Sequence, residues 1–444
     1  MMNEKALPDS PGLVEKTFTV IALFFSTTAL IPIIVEVPNS PGVSPDPISP
    51  VLFALIYVVT FCLVIKHWRD FLYVAKKDIF VWIIVAIAIA SIAWTIAPDV
   101  TPRRSFLFMG TTTLGVYLAT RYSIKEQLNL LAWVFGIVII LSFIVALALP
   151  SYGLMTTQEG GIHAGAWRGI MSHKNIFGRQ INVSAIVFLL LCVSQENRSG
   201  KYRWVPWAGY ILSIALILLS ASKTALVVWL TLSTLFPLYR GLRGTIKRVV
   251  PLLIGVVLVG GTAGILLIDS LPLIAGALGK DLTLTGRTDI WALMAELIAK
   301  RPLFGYGFNA FWQGYDTETS AYIWRVLDWS CPYGHNGLMD LLGELGFSAL
   351  FLFLLSYITI WVRAITWLRA TNGAIGLWPV MYLTYLFLCN ITESTLIASN
   401  SIFWVLYVSI CVSVPLEYQQ LKRMRYTTTW IDEESPWTED FSRS

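Results

Sequence analysis

Charge is scarce in this chain. Of 444 residues only 13% are Asp, Glu, Lys or Arg, while 56% are hydrophobic. A soluble domain carries about twice that charged share, so the composition excludes a soluble fold. Cysteine is also sparse, with five in all. Cys62, Cys192, Cys389 and Cys411 lie in apolar runs and Cys331 stands alone, so neither a disulfide framework nor a CxxC metal knuckle can be built. No P-loop, GxGxxG, HExxH or GxSxG motif occurs, which removes the usual nucleotide, dinucleotide, zinc-peptidase and serine-hydrolase sites. Asp289 and Asp316 are isolated, so no acidic pair suggests a metal, and neither metal nor cofactor is expected. The formal net charge of +5 says little by itself, and no nucleic-acid partner is expected.

What the chain does have is long apolar runs. About 20 such residues cross about 30 Å of hydrocarbon. The pattern predicts an all-α polytopic membrane protein with about 12 spans, at 17–35, 50–66, 78–96, 104–120, 127–149, 176–194, 204–221, 223–239, 249–268, 337–361, 375–390 and 396–416. The first run is long and has no small-residue cleavage site behind it, so it is expected to stay in the protein. Of the 32 Lys and Arg residues, 21 fall on the side holding the N-terminus, the connections 66–77, 121–126, 195–203, 239–248 and 362–374, and the tail. Positive loops mark the cytoplasmic side. The expected organisation is a cytoplasmic segment 1–16, spans over 17–268, an external loop 269–336, spans over 337–416 and a cytoplasmic tail 417–444. Within the loop, Ile290, Trp291, Met294, Leu297 and Ile298 recur at helical spacing until Pro302, predicting a short amphipathic helix at the outer interface.

The low-cation side nevertheless carries cations in clusters. WRGIMSHKNIFGRQ (167–180) holds Arg168, His173, Lys174 and Arg179 where a helix enters the membrane. A cation at mid-bilayer costs about 2.5–3.5 kcal/mol, less near the interface, and each charge-assisted hydrogen bond to phosphate returns about 1.5–3 kcal/mol. An anionic lipid head group with two phosphates would offset the cost. Snorkelling explains single residues such as Arg179 or Lys174, but not the clustering. Arg103 and Arg104 repeat the theme in WTIAPDVTPRRSF, with Arg104 a candidate for phosphate or a structural anchor. Arg287 opens the amphipathic helix, the end a cation should avoid. An anion between Arg287 and the free helix amides would resolve the conflict. His335 precedes Asn336, a good N-cap, and the dipole there favours a neutral ring able to accept a proton. Asp340 and Glu344 share a helical face pointing largely away from His335, and are expected to pair with buried cations or backbone groups. The aromatic-rich stretch 304–333 reads as an interfacial belt or as a platform for sugar rings.

Together WTIAPDVTPRRSF (94–106), WRGIMSHKNIFGR (167–179), SASKTA (220–225), GRTDIW (286–291), RPLFGYGF (301–308), HNGLMDLLGELGF (335–347) and NITES (390–394) resemble the O-antigen ligase and O-antigen polymerase superfamily, especially its exopolysaccharide polymerase branch. The resemblance implies a GT-C-like helical glycosyltransferase of the bacterial inner membrane. Its donor would be a polyprenyl-diphosphate-linked glycan at the periplasmic face, and its acceptor a glycan hydroxyl, without metal or nucleotide sugar. It further implies Arg168 and Arg287 on the diphosphate, extended by Lys174 and Arg179, and His335 as base. Membrane lipids, a chain-length regulator and a flippase are the implied partners. Two other functions stay open on the sequence: a ligase moving the glycan to a lipid or protein, and a secondary transporter or flippase. A transporter usually shows repeats, broken helices and midplane polar residues, whereas here the polar groups gather at external helix ends.

Overall fold

The computed structural model describes residues 10–31, 33, 48–157, 163–194, 201–243 and 287–433, with backbone alone from 425. The predicted span 249–268, the stretch 269–286 and most of the Pro-rich loop 38–50 lie outside the described residues. Among the described residues every regular element is helical, apart from one isolated bridge between Leu154 and Trp167. The helices are α1 (Leu13–Ser26), α2 (Ile48–Lys66), α3 (Trp68–Ala75), α4 (Ile79–Ala90), α5 (Thr101–Arg121), α6 (Ile124–Ala148), α7 (Lys174–Val193), α8 (Trp204–Leu219), α9 (Lys223–Gly241), α10 (Arg287–Lys300), α11 (Glu318–Leu327), α12 (Gly337–Ala370), α13 (Trp378–Thr392) and α14 (Ile402–Glu433). Among them α2, α6, α7, α12, α13 with its preceding turn, and the Ile402–Met424 part of α14 are long and apolar enough to cross a membrane; α4 and α8 are apolar but shorter. The chain is an all-α polytopic membrane protein.

Burial locates the core. The apolar window of α7 is 83% buried and that of α2 only 17%, so α7 is an axis of the bundle and α2 lies on its perimeter. Around α7 pack α6, α8, α9 and α13. A helix buried on all sides brings its polar groups into contact with its neighbours. Ser184 meets Ser213 of α8 at 2.8 Å, and Asn182 Nδ2 donates to the Ala225 carbonyl of α9 at 3.0 Å. Gly178 permits that approach, because a Cβ there would press on Ala225 and Ser222.

Several boundaries differ from the sequence reading. The connection 66–77 contains α3. The helix expected at 396–416 starts only at Ile402, because Asn400 is pinned first: its amide donates to Thr111 Oγ1 (2.8 Å) and its side-chain oxygen accepts from Tyr57 (2.7 Å). The resulting non-helical segment 393–401 carries part of the site described below. The apolar face of α10 (Ile290, Met294, Leu297, Ile298) is buried against Tyr306, Phe311, Ile323 and Trp324. Protein, rather than the expected lipid interface, covers that face.

A break in α12 fixes this small core to the bundle. Gly346 has φ 70° and ψ −170° inside the helix, a region essentially confined to glycine. The interrupted ladder is completed by the loop RPLFGYGF. Tyr306 and Gly307 donate to the carbonyls of Gly343 (3.0 Å) and Glu344 (2.8 Å), and Phe347 donates to Pro302 (2.8 Å). Non-helical backbone at membrane depth survives where protein re-satisfies it in this way. A Cβ on Gly346 would collide with the Leu303 carbonyl and the Phe304 amide. Gly346→Ala should therefore cost at least about 1–3 kcal/mol in backbone strain alone, read as a lower melting temperature in detergent.

Candidate active site

The loop 301–308 marks one end of the bundle. Ile96, just past α4, donates to the Tyr306 carbonyl at 3.0 Å, whereas Asp78, which caps the start of α4 by accepting from Val81 N at 3.3 Å, lies at the other end. At the first end α7, α10, α12 and α13 bring together residues more than 200 positions apart. Two N-caps set the geometry. His173 Nδ1 accepts from the Asn175 amide at 3.2 Å and starts α7. Asn336 Oδ1 accepts from Leu338 and Met339 at 3.0 and 3.1 Å and starts α12. Arg179, one and a half turns into α7, thereby meets the fully buried carboxylate of Glu393, which follows α13, and His335, just before α12, stands near Arg179 and Arg287.

Glu393 organises the site. Arg179 Nη1 lies 3.5 Å from Oε2 and Arg287 Nη2 lies 3.8 Å from Oε1. Asn175 Nδ2 donates to Oε1 at 3.2 Å, and the Tyr333 hydroxyl donates to Oε2 at 3.1 Å. Asn175 is itself fixed by Ser222, the N-cap of α9, at 3.2 Å. One carboxylate among two guanidinium groups leaves surplus positive charge. The conflict read from Arg287 at a helix start is thus partly met by an internal anion.

His335 stands beside this cluster, its ring centroid 4.2 Å from that of Tyr333. Burial first, then the charges of Arg287 and Arg179, push its pKa from 6.5 down to about 4, so the ring is neutral at pH 7. His335 takes φ 50°, a left-handed conformation unusual outside glycine and often found where a site needs it. Its Nδ1 is buried with no hydrogen-bond partner among the described residues. Buried orphan polar atoms are rare and often mark a place a ligand completes. His173 is held at about 4 in the same way, by burial and then by Lys174 and Arg179. Tyr333 is raised above the ordinary phenol value by burial and by Glu393, and stays a donor.

The other predicted cations are placed differently. Arg168 donates to the carbonyls of Tyr152 (2.7 Å), Ser151 (3.0 Å) and Ser172 (3.4 Å). Lys174 donates to Ala221 at 3.1 Å, just past the end of α8. Both are buried and lie within electrostatic reach of His173. They bind the turn 151–154 and the α8–α9 turn to the start of α7, behind Arg179. Arg104 lies apart, near Glu344. Asp340 and Glu344 take hydrogen bonds from the backbone amides of Gly334 and Asn309, one of the two kinds of partner expected, and from the neutral side chains of Trp312 and Ser394 where buried cations were the other. Of the aromatic stretch, Tyr306, Phe311 and Trp324 are core residues. Among the described residues no group of three or more His, Cys, Asp or Glu is placed to hold a metal.

Sequence reasoning did not single out Glu393. Its only signal was a carboxylate in NITES between two apolar runs. Asn175 lay inside a quoted motif without an assigned role, and Tyr333 only closed the aromatic stretch 304–333.

Fold and site define a helical membrane protein with a buried guanidinium–imidazole centre at one end of its bundle. The family model described as O-antigen ligase matches residues 208–354, a stretch that includes Arg287 and His335 but not Arg179 or Glu393. The exopolysaccharide production protein ExoQ of Rhizobium meliloti (strain 1021) is 24% identical over 319 residues, covering 69% of this chain and 68% of that protein. The two matches support membership of the O-antigen ligase/polymerase-like family.

Proposed function

We propose that the protein polymerises a bacterial surface polysaccharide, transferring a glycan from a polyprenyl-diphosphate donor to an acceptor sugar hydroxyl at the periplasmic face of the inner membrane. The observation that carries this reading is the pairing of Arg179 and Arg287 around one buried carboxylate beside a neutral imidazole with an orphan Nδ1. The acceptor oxygen attacks the anomeric carbon while the bond from that carbon to the diphosphate oxygen breaks. The hydroxyl proton passes to His335, and polyprenyl diphosphate departs with the bonding pair. Diphosphate needs its growing charge stabilised more than it needs a proton, and preorganised guanidinium groups do this. Arg287 and Arg179 bind the diphosphate; Arg168 and Lys174 hold the frame behind them and add to the local positive potential. Arg104 stands apart from this pair, near Glu344, and is assigned no contact with the diphosphate. A single displacement inverts the anomeric configuration.

The match to an O-antigen ligase model keeps a second reading in view: the same donor chemistry with a lipid or protein acceptor. Deleting the gene separates them. Loss of long polymer with single lipid-linked repeats retained is the expected result. Loss of all attached glycan would indicate ligation, and unchanged polymer with altered export of precursors would indicate transport. At the level of one residue, Arg287→Lys keeps the charge but loses the planar fork. Transfer should fall about ten- to a hundredfold, equivalent to one charge-assisted hydrogen bond. Full activity in that variant would overturn guanidinium recognition of the donor.

A further inference from the structure

Next to the cationic cluster lies a second space of different character. A cavity of about 240 Å³ is bounded by the loop 309–313, the start of α12 and residues 394–398. Its polar lining includes Asn309, Trp312, Gln313, Asp340, Glu344 and Ser394, and no lining residue is Lys, Arg or His. Two carboxylates without a lining cation disfavour a diphosphate, so this cavity and the Arg179–Arg287 pair select opposite ligands. What suits it is a neutral group rich in hydroxyls. Hydroxyls donate to carboxylates and accept from amides, and a flat ring covers the apolar face of a sugar.

The lining is held in place before any ligand arrives. Asp340 Oδ1 accepts from Trp312 Nε1 (2.8 Å) and from the Gly334 amide (3.0 Å), and Oδ2 accepts from Ser394 Oγ. Glu344 Oε2 accepts from the Asn309 amide at 3.0 Å. The cavity also shares a wall with the cluster. Tyr333 lines it, donates to Glu393 and lies against the His335 ring. Ser394, another lining residue, directly follows Glu393.

From this juxtaposition we propose that the cavity is the acceptor subsite, seating a neutral sugar residue with its attacking hydroxyl toward His335. The assignment rests on the transfer reading above. Inverting displacement needs the nucleophile on the face opposite the leaving diphosphate, and Tyr333, which lines the cavity and touches both Glu393 and His335, marks the border between the uncharged-ligand side and the cationic side. Glu344 and Trp312 are then specificity-determining residues for the acceptor.

The test is binding by the purified full-length protein in detergent, with two probes measured separately. One is neutral oligosaccharide released by mild acid from the organism's own surface polysaccharide; the other is inorganic diphosphate. Glu344→Gln should weaken oligosaccharide binding about tenfold or more and leave diphosphate binding unchanged, while Arg287→Lys should do the reverse. Where Glu344→Gln elutes as aggregate, Gln313→Ala on the loop replaces it with the same expectation. Equal loss of both probes, no loss of either, or no oligosaccharide binding by the unaltered protein up to millimolar concentration would overturn the subsite. Failure of the transfer reading gives a different pattern: diphosphate affinity is untouched in Arg287→Lys while the oligosaccharide still responds to Glu344→Gln.

Discussion

Glu393→Ala is expected to be the most damaging change to stability at the site, costing about 3–5 kcal/mol, the usual cost of removing one partner from a buried ion pair. Glu393 is fully buried, Arg179 nearly so, and both guanidinium groups would be left facing each other without the carboxylate. Tyr333 and Asn175 would each lose an acceptor as well. Two measurements separate charge from shape. Melting in detergent should show Glu393→Ala far below the unaltered protein, with Glu393→Gln between them, because glutamine keeps an acceptor oxygen for Tyr333 but no charge. Added inorganic diphosphate should then raise the melting temperature of Glu393→Gln more than that of the unaltered protein, since an external anion now takes the place of the internal one. Equal shifts would mean that the arginines are not available to an anion.

How much of this was legible from the chain depends on the range of the signal. Local signals were read correctly. Asn336 as a cap, Arg287 at a helix start and the apolar periodicity of 290–298 all act within one or two helical turns. What periodicity could not say was which surface the apolar face of α10 meets. Lipid and the side chains of Tyr306, Phe311 and Trp324 satisfy the same pattern. The break at Gly346 was also hidden, since GELGF reads as continuous helix unless the partner loop 302–307 is known to fill it. Glu393 was hardest to see, because its meaning arises from Arg179, Arg287, Asn175 and Tyr333, which approach it from 60 to 218 positions away. Clusters of cations were visible because they break a membrane rule locally. Their sorting into Arg179 and Arg287 at the carboxylate, and Arg168 and Lys174 on backbone carbonyls, is a property of the packed bundle.

His335→Ala should reduce transfer about 10²–10⁴-fold, the usual contribution of a general base, with little change in fold stability because the ring makes no described hydrogen bond through Nδ1. The pH dependence gives the assignment a sharper signature than the loss itself. Burial and the neighbouring arginines hold the ring near 4 instead of 6.5, so the base stays competent down to about pH 5. Activity should fall only as pH passes through about 4, by about tenfold per unit below it. Arg287→Gln removes one of the charges that lower the value, so its residual activity should fail at a higher pH. A merely structural histidine would leave that limb where it was. The same shift has a stability side. The unfolded chain protonates this ring near 6.5 and the folded chain does not until about 4. Stability is therefore full above 6.5, declines as pH falls between the two values, and declines no further from this group below 4. His173, also held near 4, adds to the loss over the same window. Melting should thus soften between pH 6.5 and 4 while catalysis persists over most of that range. An activity limb that instead followed the melting curve would assign the pH response to unfolding and remove His335 from the reaction.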